Sequence, residues 1–333
     1  IPCSVRNLQE GSWMRKSRFP RRSTVCFILL LVVGVSVILT GGVAADSPDI
    51  TVTTDSSGDY TSIQNAVDNA TAGDHIKVAS GTYEQHTEID KNITLYAPGD
   101  TIIANTSEVA AKYDRFGRRS GFQIYGEASP TISGFILTDW RWAISAGGSE
   151  GSWTVKDTEI SDGRCGVCAA GTPGDWSIKN TTIANAGTVS GYESTGDWEI
   201  TDSTIIQTDI SADKSAGDLT IKNTSFRDIS SDGIAIEEST GALTVSDSTI
   251  QNVTYGAIEA ENTSADVVVS HTSITDSDTG IDFDKVNEAY LNAKETYDSA
   301  TEARFKSGQI TGLVGLANVR GIETPNTDRL LFL

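Results

Sequence analysis

The sequence predicts an all-β fold wound as a parallel β-helix. Three observations predict it: a unit of 21 to 24 residues that recurs down the chain, a two-residue apolar alternation within each unit, and polar turn residues repeating in step with it. The units read SWTVKDTEISD from Ser152, DWSIKNTTIAN from Asp175, DWEITDSTIIQ from Asp197, DLTIKNTSFRD from Asp218, ALTVSDSTIQN from Ala242 and DVVVSHTSITD from Asp266. PTISGFILTD from Pro130 is a weaker first copy.

Each unit supplies about three short strands. Trp176, Ile178 and Ile183 alternate with polar neighbours, as do Leu219, Ile221 and Phe226, and a third apolar run follows a polar turn, as in GVCA from Gly166 or GIAI from Gly233. One unit cannot bury its own apolar side, so neighbours must stack, each turn about 4.8 Å above the last. A leucine-rich horseshoe would need its Leu and Asn pattern, and a propeller blade would be about twice as long.

Before the repeat, residues 1–13 precede the chain's one methionine, Met14, and read as upstream sequence. Residues 14–45 have the layout of a secretory signal: a cationic start, an apolar run from about Val25 to Leu39, and small residues around Ala44 and Ala45. An uncleaved membrane anchor is the alternative, and Arg21 and Arg22 fit a twin-arginine signal only in part. Either way the expectation is a secreted or cell-surface protein, with membrane contact only through such an anchor.

Residues 1–45 hold six of the 25 basic residues and one of the 45 acidic ones, so the rest carries 19 against 44, a net charge of −25. A field of that sign repels nucleic acid and anionic lipid, and it suits a salt-rich medium that screens self-repulsion. Cys165 and Cys168, in GRCGVC, are the pair outside the leading segments. A local disulfide or plain thiols are expected, because the setting of a redox motif and a second ligand pair for zinc are both missing.

The repeat spans 46–283. Asp139, Asp162, Asn185, Gln207, Asp228, Asn252 and Asp276 recur with it, as do Asp157, Asn180, Asp202, Asn223, Asp247 and His271. Carboxylates in pairs invite an acid–base reading, but a feature present on every turn points to structural ladders. Ile63, Ala66, Val67 and Ala70 fall on one helical face, which predicts a short N-terminal capping helix. Val286, Tyr290, Ala293, Tyr297 and Ala300 predict a C-terminal helix over 284–306, folded back as a cap or projecting as a stalk; 307–333 lacks the repeat and reads as a tail.

With those residues in view, about 48–283 resembles the right-handed parallel β-helix proteins of the pectin-lyase-like superfamily. The stretch ITVTTDSSGDYTSIQNAVDNATAGDHIKVASGTYEQ from Ile50, followed by KNITLYAPGDTIIAN from Lys91, resembles the opening of pectin esterases. The resemblance implies a right-handed coil whose first turn is plugged by that helix. The esterase motifs GQAVA and GxxDFIFG are absent, and so are the NTD, GHG and RIK motifs of polygalacturonases; His75, His86 and His271 lie in no Gly-His-Gly. Polysaccharide lyases leave no compact signature, since in that family a lone Arg or Lys can be the base with calcium held by scattered carboxylates.

Cations are therefore the place to look in so acidic a body. Arg115, Arg118 and Arg119 lie in YDRFGRRSG, Arg141 in TDWRWAIS and Arg164 in SDGRCG. Arg141 and Arg164 are one repeat apart and should stack, and Trp140 and Trp142 flank Arg141. Rings beside a guanidinium suit a sugar face and a uronate carboxylate. The simpler reading has the arginines neutralising Asp114, Asp139 and Asp162, with one tryptophan in the core. Trp153, Trp176 and Trp198 recur at one strand position and read as an internal stack.

Glu259, Glu261, Asp278, Asp282 and Asp284 crowd the last turns, where calcium could bind, although no EF-hand loop specifies it. Of seven sequons, at Asn69, Asn92, Asn105, Asn180, Asn223, Asn252 and Asn262, the best glycosylation candidates are Asn105 and Asn262. The expectation is a surface-associated protein that binds a polysaccharide or cell-surface glycan. A polysaccharide-active enzyme, most readily a lyase with Arg141 or Arg164 near the reacting uronate, and a structural or adhesive rod are the alternatives.

Overall fold

A computed structural model describes residues 48–105, 120–264, 266–292 and 302–310, with side chains of the strands up to residue 282. The chain divides into two compact units, Ile1–Ala45 and Asp46–Leu333, and every described residue lies in the second. The leading segments, residues 106–119 with Asp114, Arg115, Arg118 and Arg119, and the residues from 311 onward fall outside the described residues.

All strand pairings are parallel, and each turn of the coil contributes to three faces. The first face stacks Ile50–Val52, His75–Val78, Trp153–Lys156, Trp176–Lys179, Trp198–Thr201, Leu219–Lys222, Leu243–Ser246 and Asp266–Ser270, with parts of longer strands between and after them. The second carries Gly81–Tyr83, Glu159–Ser161 and Ser225–Ile229. The third carries Thr87–Ile89, Ser120–Ile124, Trp142–Ser145, Cys165–Cys168 and Ile234–Glu237. Long strands such as Thr182–Ser190 and Thr204–Ser211 run round the corner between the second and third faces.

Alternation decides what is inside. Ile132, Val155, Ile178, Ile200, Ile221 and Val245 form one wholly buried row of the first face. Trp153, Trp176 and Trp198 form the next row and stack as rings, at 5.1 Å and 8° for the first pair and 4.4 Å and 23° for the second. Each is 2% exposed, so the stack is core. None of the three indole N–H groups has a hydrogen-bond partner.

The corners explain the repeating polar letters. Asp139, Asp162, Asn185, Gln207, Asp228, Asn252 and Asp276 all have φ between 50° and 63°, and Asp157, Asn180, Asp202, Asn223, Asp247 and His271 lie between 46° and 54°. This left-handed region turns a strand sharply and is tolerated best by Asn and Asp after Gly. Amide-to-carboxylate bonds tie neighbouring turns: Asn180 Nδ2 to Asp157 Oδ1 at 2.7 Å, Asn185 to Asp162 at 2.9 Å, Asn223 to Asp202 at 2.6 Å and Asn252 to Asp228 at 2.8 Å. A third corner, not singled out in the sequence, has the same conformation at Gly148, Gly171, Glu193, Lys214, Glu238 and Asn262. Its residue types differ from turn to turn, which hid the period.

The helix Ile63–Asn69 begins at Ser62, whose hydroxyl accepts from Asn65 N, and buries Ile63, Ala66 and Val67 against strands of the first turns. The expected helix over 284–306 is corrected at its described residues, 284–292 and 302–306; residues 293–301 lie outside them. Residues 284–292 belong to the strand Ser273–Asn292, with Val267 opposite Ala289 and Val269 opposite Leu291, and Glu302–Ile310 adds a further strand. The reason is the open edge of the last turn, whose row of N–H and C=O groups is satisfied by one more parallel strand and would stay unpaired under a helix.

Candidate functional site

The corner after Asp139 and Asp162 positions the candidate residues. The position following each left-handed residue points inward: Ala186, Thr208, Ile229, Val253 and Ser277 are all buried there. Trp140 occupies that position, is 1% exposed and donates its Nε1–H to Ile103 O at 2.8 Å. Its expected place beside a ligand is therefore corrected; it is a core residue. The column of Ala186, Ile229 and Val253 was the sequence signal for this.

One residue later the direction reverses. Arg141 is half-buried and Arg164 exposed, on adjacent turns, with Arg164 N and Cys165 N both donating to Arg141 O at 3.2 and 3.0 Å. The Arg141 guanidinium lies 5.1 Å from the ring centroid of the half-buried Trp142, within cation–π range. Among the described residues no carboxylate forms an ion pair with Arg141 or Arg164. They border an open cavity of about 520 Å³ with Asn105, Asp139, Asp162 and Gly163. Gly187 holds the equivalent place on the next turn at φ 68°, where a Cβ would collide with Arg164 O, so the cationic column ends there.

Cys165 and Cys168 form a disulfide on the third face. Residues three apart on a regular strand point to opposite sides. Here the register slips between Cys165 and Val167, leaving Gly166 as an extra residue and bringing the two sulfurs to one side. A Cβ on Gly166 would sit 3.0 Å from Ile183 Cγ2 and 3.2 Å from Ala186 Cβ, a tight approach at which those methyls would have to give way.

Arg164 also borders a second cavity, about 480 Å³, with Thr188, Asp209, Ser211, Asp213, Ser231 and Asp232. Burial pushes the Asp209 carboxyl above the ordinary range, against the opposing hydrogen bond from Ser231. Further along the same face a 260 Å³ cavity gathers Asp232, Tyr255, Glu259, Asp278 and Asp282. Burial, the hydrogen bond shared with Asp232 and the charges of Asp232, Asp282 and Glu261 push Glu259 up to about 7. Asp209, Asp213 and Asp232 were not singled out in the sequence. Strand parity placed Asp209 outward beside Thr188, but nothing in the letters told this aspartate from solvated surface.

Glu259, Asp278 and Asp282 are thus brought together, whereas the Asp284 side chain lies outside the description. Among the described residues no group of three or more His, Cys, Asp or Glu side chains is arranged to hold a metal ion. Asn105 Nδ2 donates to Asp139 O at 2.9 Å, and Asn262 sits at a third-corner position with Nδ2 3.2 Å from Glu261 Oε1. No described helix is long and apolar enough to cross a membrane.

Three parallel faces, polar left-handed corners and a continuous apolar interior define a parallel β-solenoid. The family described as the right handed beta helix region matches residues 120–293, more than half of the chain, and the chain belongs to it. Among solved structures it is similar to a pectin methylesterase from carrot, at 13% identity over 84% of this chain and 89% of that one, with a TM-score of 0.45. It is also similar to the A-module of the Azotobacter vinelandii mannuronan C-5 epimerase AlgE4, at 13% identity, 79% and 86% coverage and a TM-score of 0.47. Pectate lyase Pel9A follows at 12% identity, 79% and 73% coverage and 0.45. No curated protein matches the sequence.

Proposed function

We propose that this β-helix is an exported, surface-associated protein that binds an acidic polysaccharide along the outside of its third face. One observation carries the reading: Arg141 and Arg164 stand on successive turns at an open cavity, without ion pairs among the described residues, in a protein of net charge −20. A guanidinium with no carboxylate paired to it among the described residues suits a carboxylate brought by the ligand, bound through paired N–H donors. Trp142 offers the adjoining sugar-sized ring face.

The test is retention on immobilised polyuronate against a neutral glucan. Wild type should bind the polyuronate in a salt-sensitive way, and Arg164→Ala should weaken binding at least about tenfold, the scale of one charge-assisted contact of roughly 1.5–3 kcal/mol. No retention, or retention unchanged in Arg141→Ala and Arg164→Ala, overturns the proposal and favours a structural rod.

A second reading, cleavage by β-elimination, is favoured by Arg164 bordering both cavities with Asp209 in the second. It requires an unsaturated, ultraviolet-absorbing product from uronate polymers, with or without calcium. Absence of that product across pectate and alginate panels removes it. N-terminal sequencing of protein recovered outside the cell tests export.

A further inference from the structure

The coil treats the amides of its seven Asn-x-Ser/Thr triplets differently. Asn180, Asn223 and Asn252 give Nδ2 to the carboxylates of Asp157, Asp202 and Asp228 on the preceding turn, at 2.7, 2.6 and 2.8 Å. Asn69 gives Nδ2 to Asn65 O at 2.8 Å, Asn105 to Asp139 O at 2.9 Å, and Asn262 Nδ2 lies 3.2 Å from Glu261 Oε1. In these six, the nitrogen that would carry a sugar is already engaged.

Asn92 differs. It stands exposed in the third corner, between Thr87–Ile89 on the third face and the first-face part of Thr94–Ala104. Its Oδ1 accepts from Ser129 N on the next turn at 2.7 Å, and its backbone carbonyl accepts from Gly73 N on the preceding turn at 2.7 Å. Among the described residues nothing accepts from its Nδ2. Anchoring a planar amide by its oxygen fixes the direction of the nitrogen and leaves both of its N–H groups available. Thr94 supplies the hydroxyl two residues on, and Ile93 between them is not proline, so the triplet is complete.

We infer that Asn92 carries an N-linked glycan, taken from a saccharide linked through phosphate to a lipid. The inference rests on the export proposed above, since this modification belongs to the surface of secreted chains. In the transfer Nδ2 bonds to the anomeric carbon and the bond from that carbon to the lipid phosphate breaks. The phosphate leaves with the lipid, and the amide nitrogen gives up one of its two protons. The bond to Ser129 is made through Oδ1 and survives the reaction.

Position also favours Asn92. Asn105 borders the arginine cavity with Arg141 and Arg164, so a glycan there would enter the cavity. Asn92 lies at the other end of the third face, two turns before Trp142–Ser145, and a glycan on it leaves the cavity open.

The test is tandem mass spectrometry of intact peptides from protein recovered outside the cells of the source organism. Cleavage after Tyr96 and before Asp100 separates residue 92 from residue 105. The peptide with Asn92 should carry a saccharide mass on most molecules, and those with Asn180, Asn223 and Asn252 should be bare. Thr94→Val, which keeps Asn92 and its bond to Ser129, should lose the added mass completely, and Thr94→Ser should restore it. A bare Asn92 on exported protein, a saccharide that persists in Thr94→Val, or fuller occupancy at Asn105 than at Asn92 overturns the inference and leaves export standing. Protein found only inside the cell removes the export reading and this inference with it.

Discussion

Replacing Trp176 with phenylalanine should cost far less stability than the same change at Trp140, although both indoles are buried to about the same degree. At either site the smaller ring leaves a small cavity worth about 1–2 kcal/mol. The difference lies in the N–H. Trp176 buries one without a partner, and removing a buried orphan donor relieves roughly 1–3 kcal/mol, so Trp176→Phe should fall within about 1 kcal/mol of wild type. Trp140 donates to Ile103 O at 2.8 Å, so Trp140→Phe loses about 0.5–1.5 kcal/mol of hydrogen bond on top of the cavity and should cost about 2–3 kcal/mol. Trp176→Ala is the control: it removes the ring from between Trp153 and Trp198 and should cost about 3–5 kcal/mol. Urea unfolding followed by far-ultraviolet circular dichroism measures all three. Equal costs for the two phenylalanine variants, or a larger one at 176, would refute the account of the unpaired indoles.

Two further outcomes follow from the corners and from the acidic end of the third face. Asn185→Asp replaces the amide that bonds Asp162 with a second carboxylate at the same separation, so it should lose about 1–2 kcal/mol at pH 7 and recover once the pH falls below about 4, as urea midpoints against pH will show. Glu259, ordinarily 4.5, is held at about 7 mainly by burial, so the folded protein binds its proton more tightly than the unfolded chain does. Its stabilising contribution is full below about 4.5 and lost as pH rises through about 7. Glu259→Gln should flatten that part of the stability–pH curve and be the more stable protein at pH 8; an unaltered curve would count against the buried carboxyl.

Period and alternation sufficed for the stacking of Arg141 on Arg164 and for the inward Trp153, Trp176 and Trp198, because both follow from register. The misassigned Trp140 sits just after a corner, where one left-handed residue resets which side the next residue faces, so parity counted from the strand no longer holds. The run from Asp232 through Glu259 to Asp282 is separated by 27 and 23 positions in the chain and becomes a cluster only when the third face is stacked.

By itself, then, the sequence determined the class of fold, the length of each turn and the residues of two of its three corners, because a stacked coil must repeat its requirements and repetition is visible in letters. Tertiary structure alone decided what is not repeated. It showed that the last turn recruits a strand in place of a helix, that Gly166 is an extra residue that sets both cysteines of the disulfide on one side, and that Asp209 is half-buried beside Arg164. Each of these depends on what the neighbouring turn presents at that height, and that is a property of the stack.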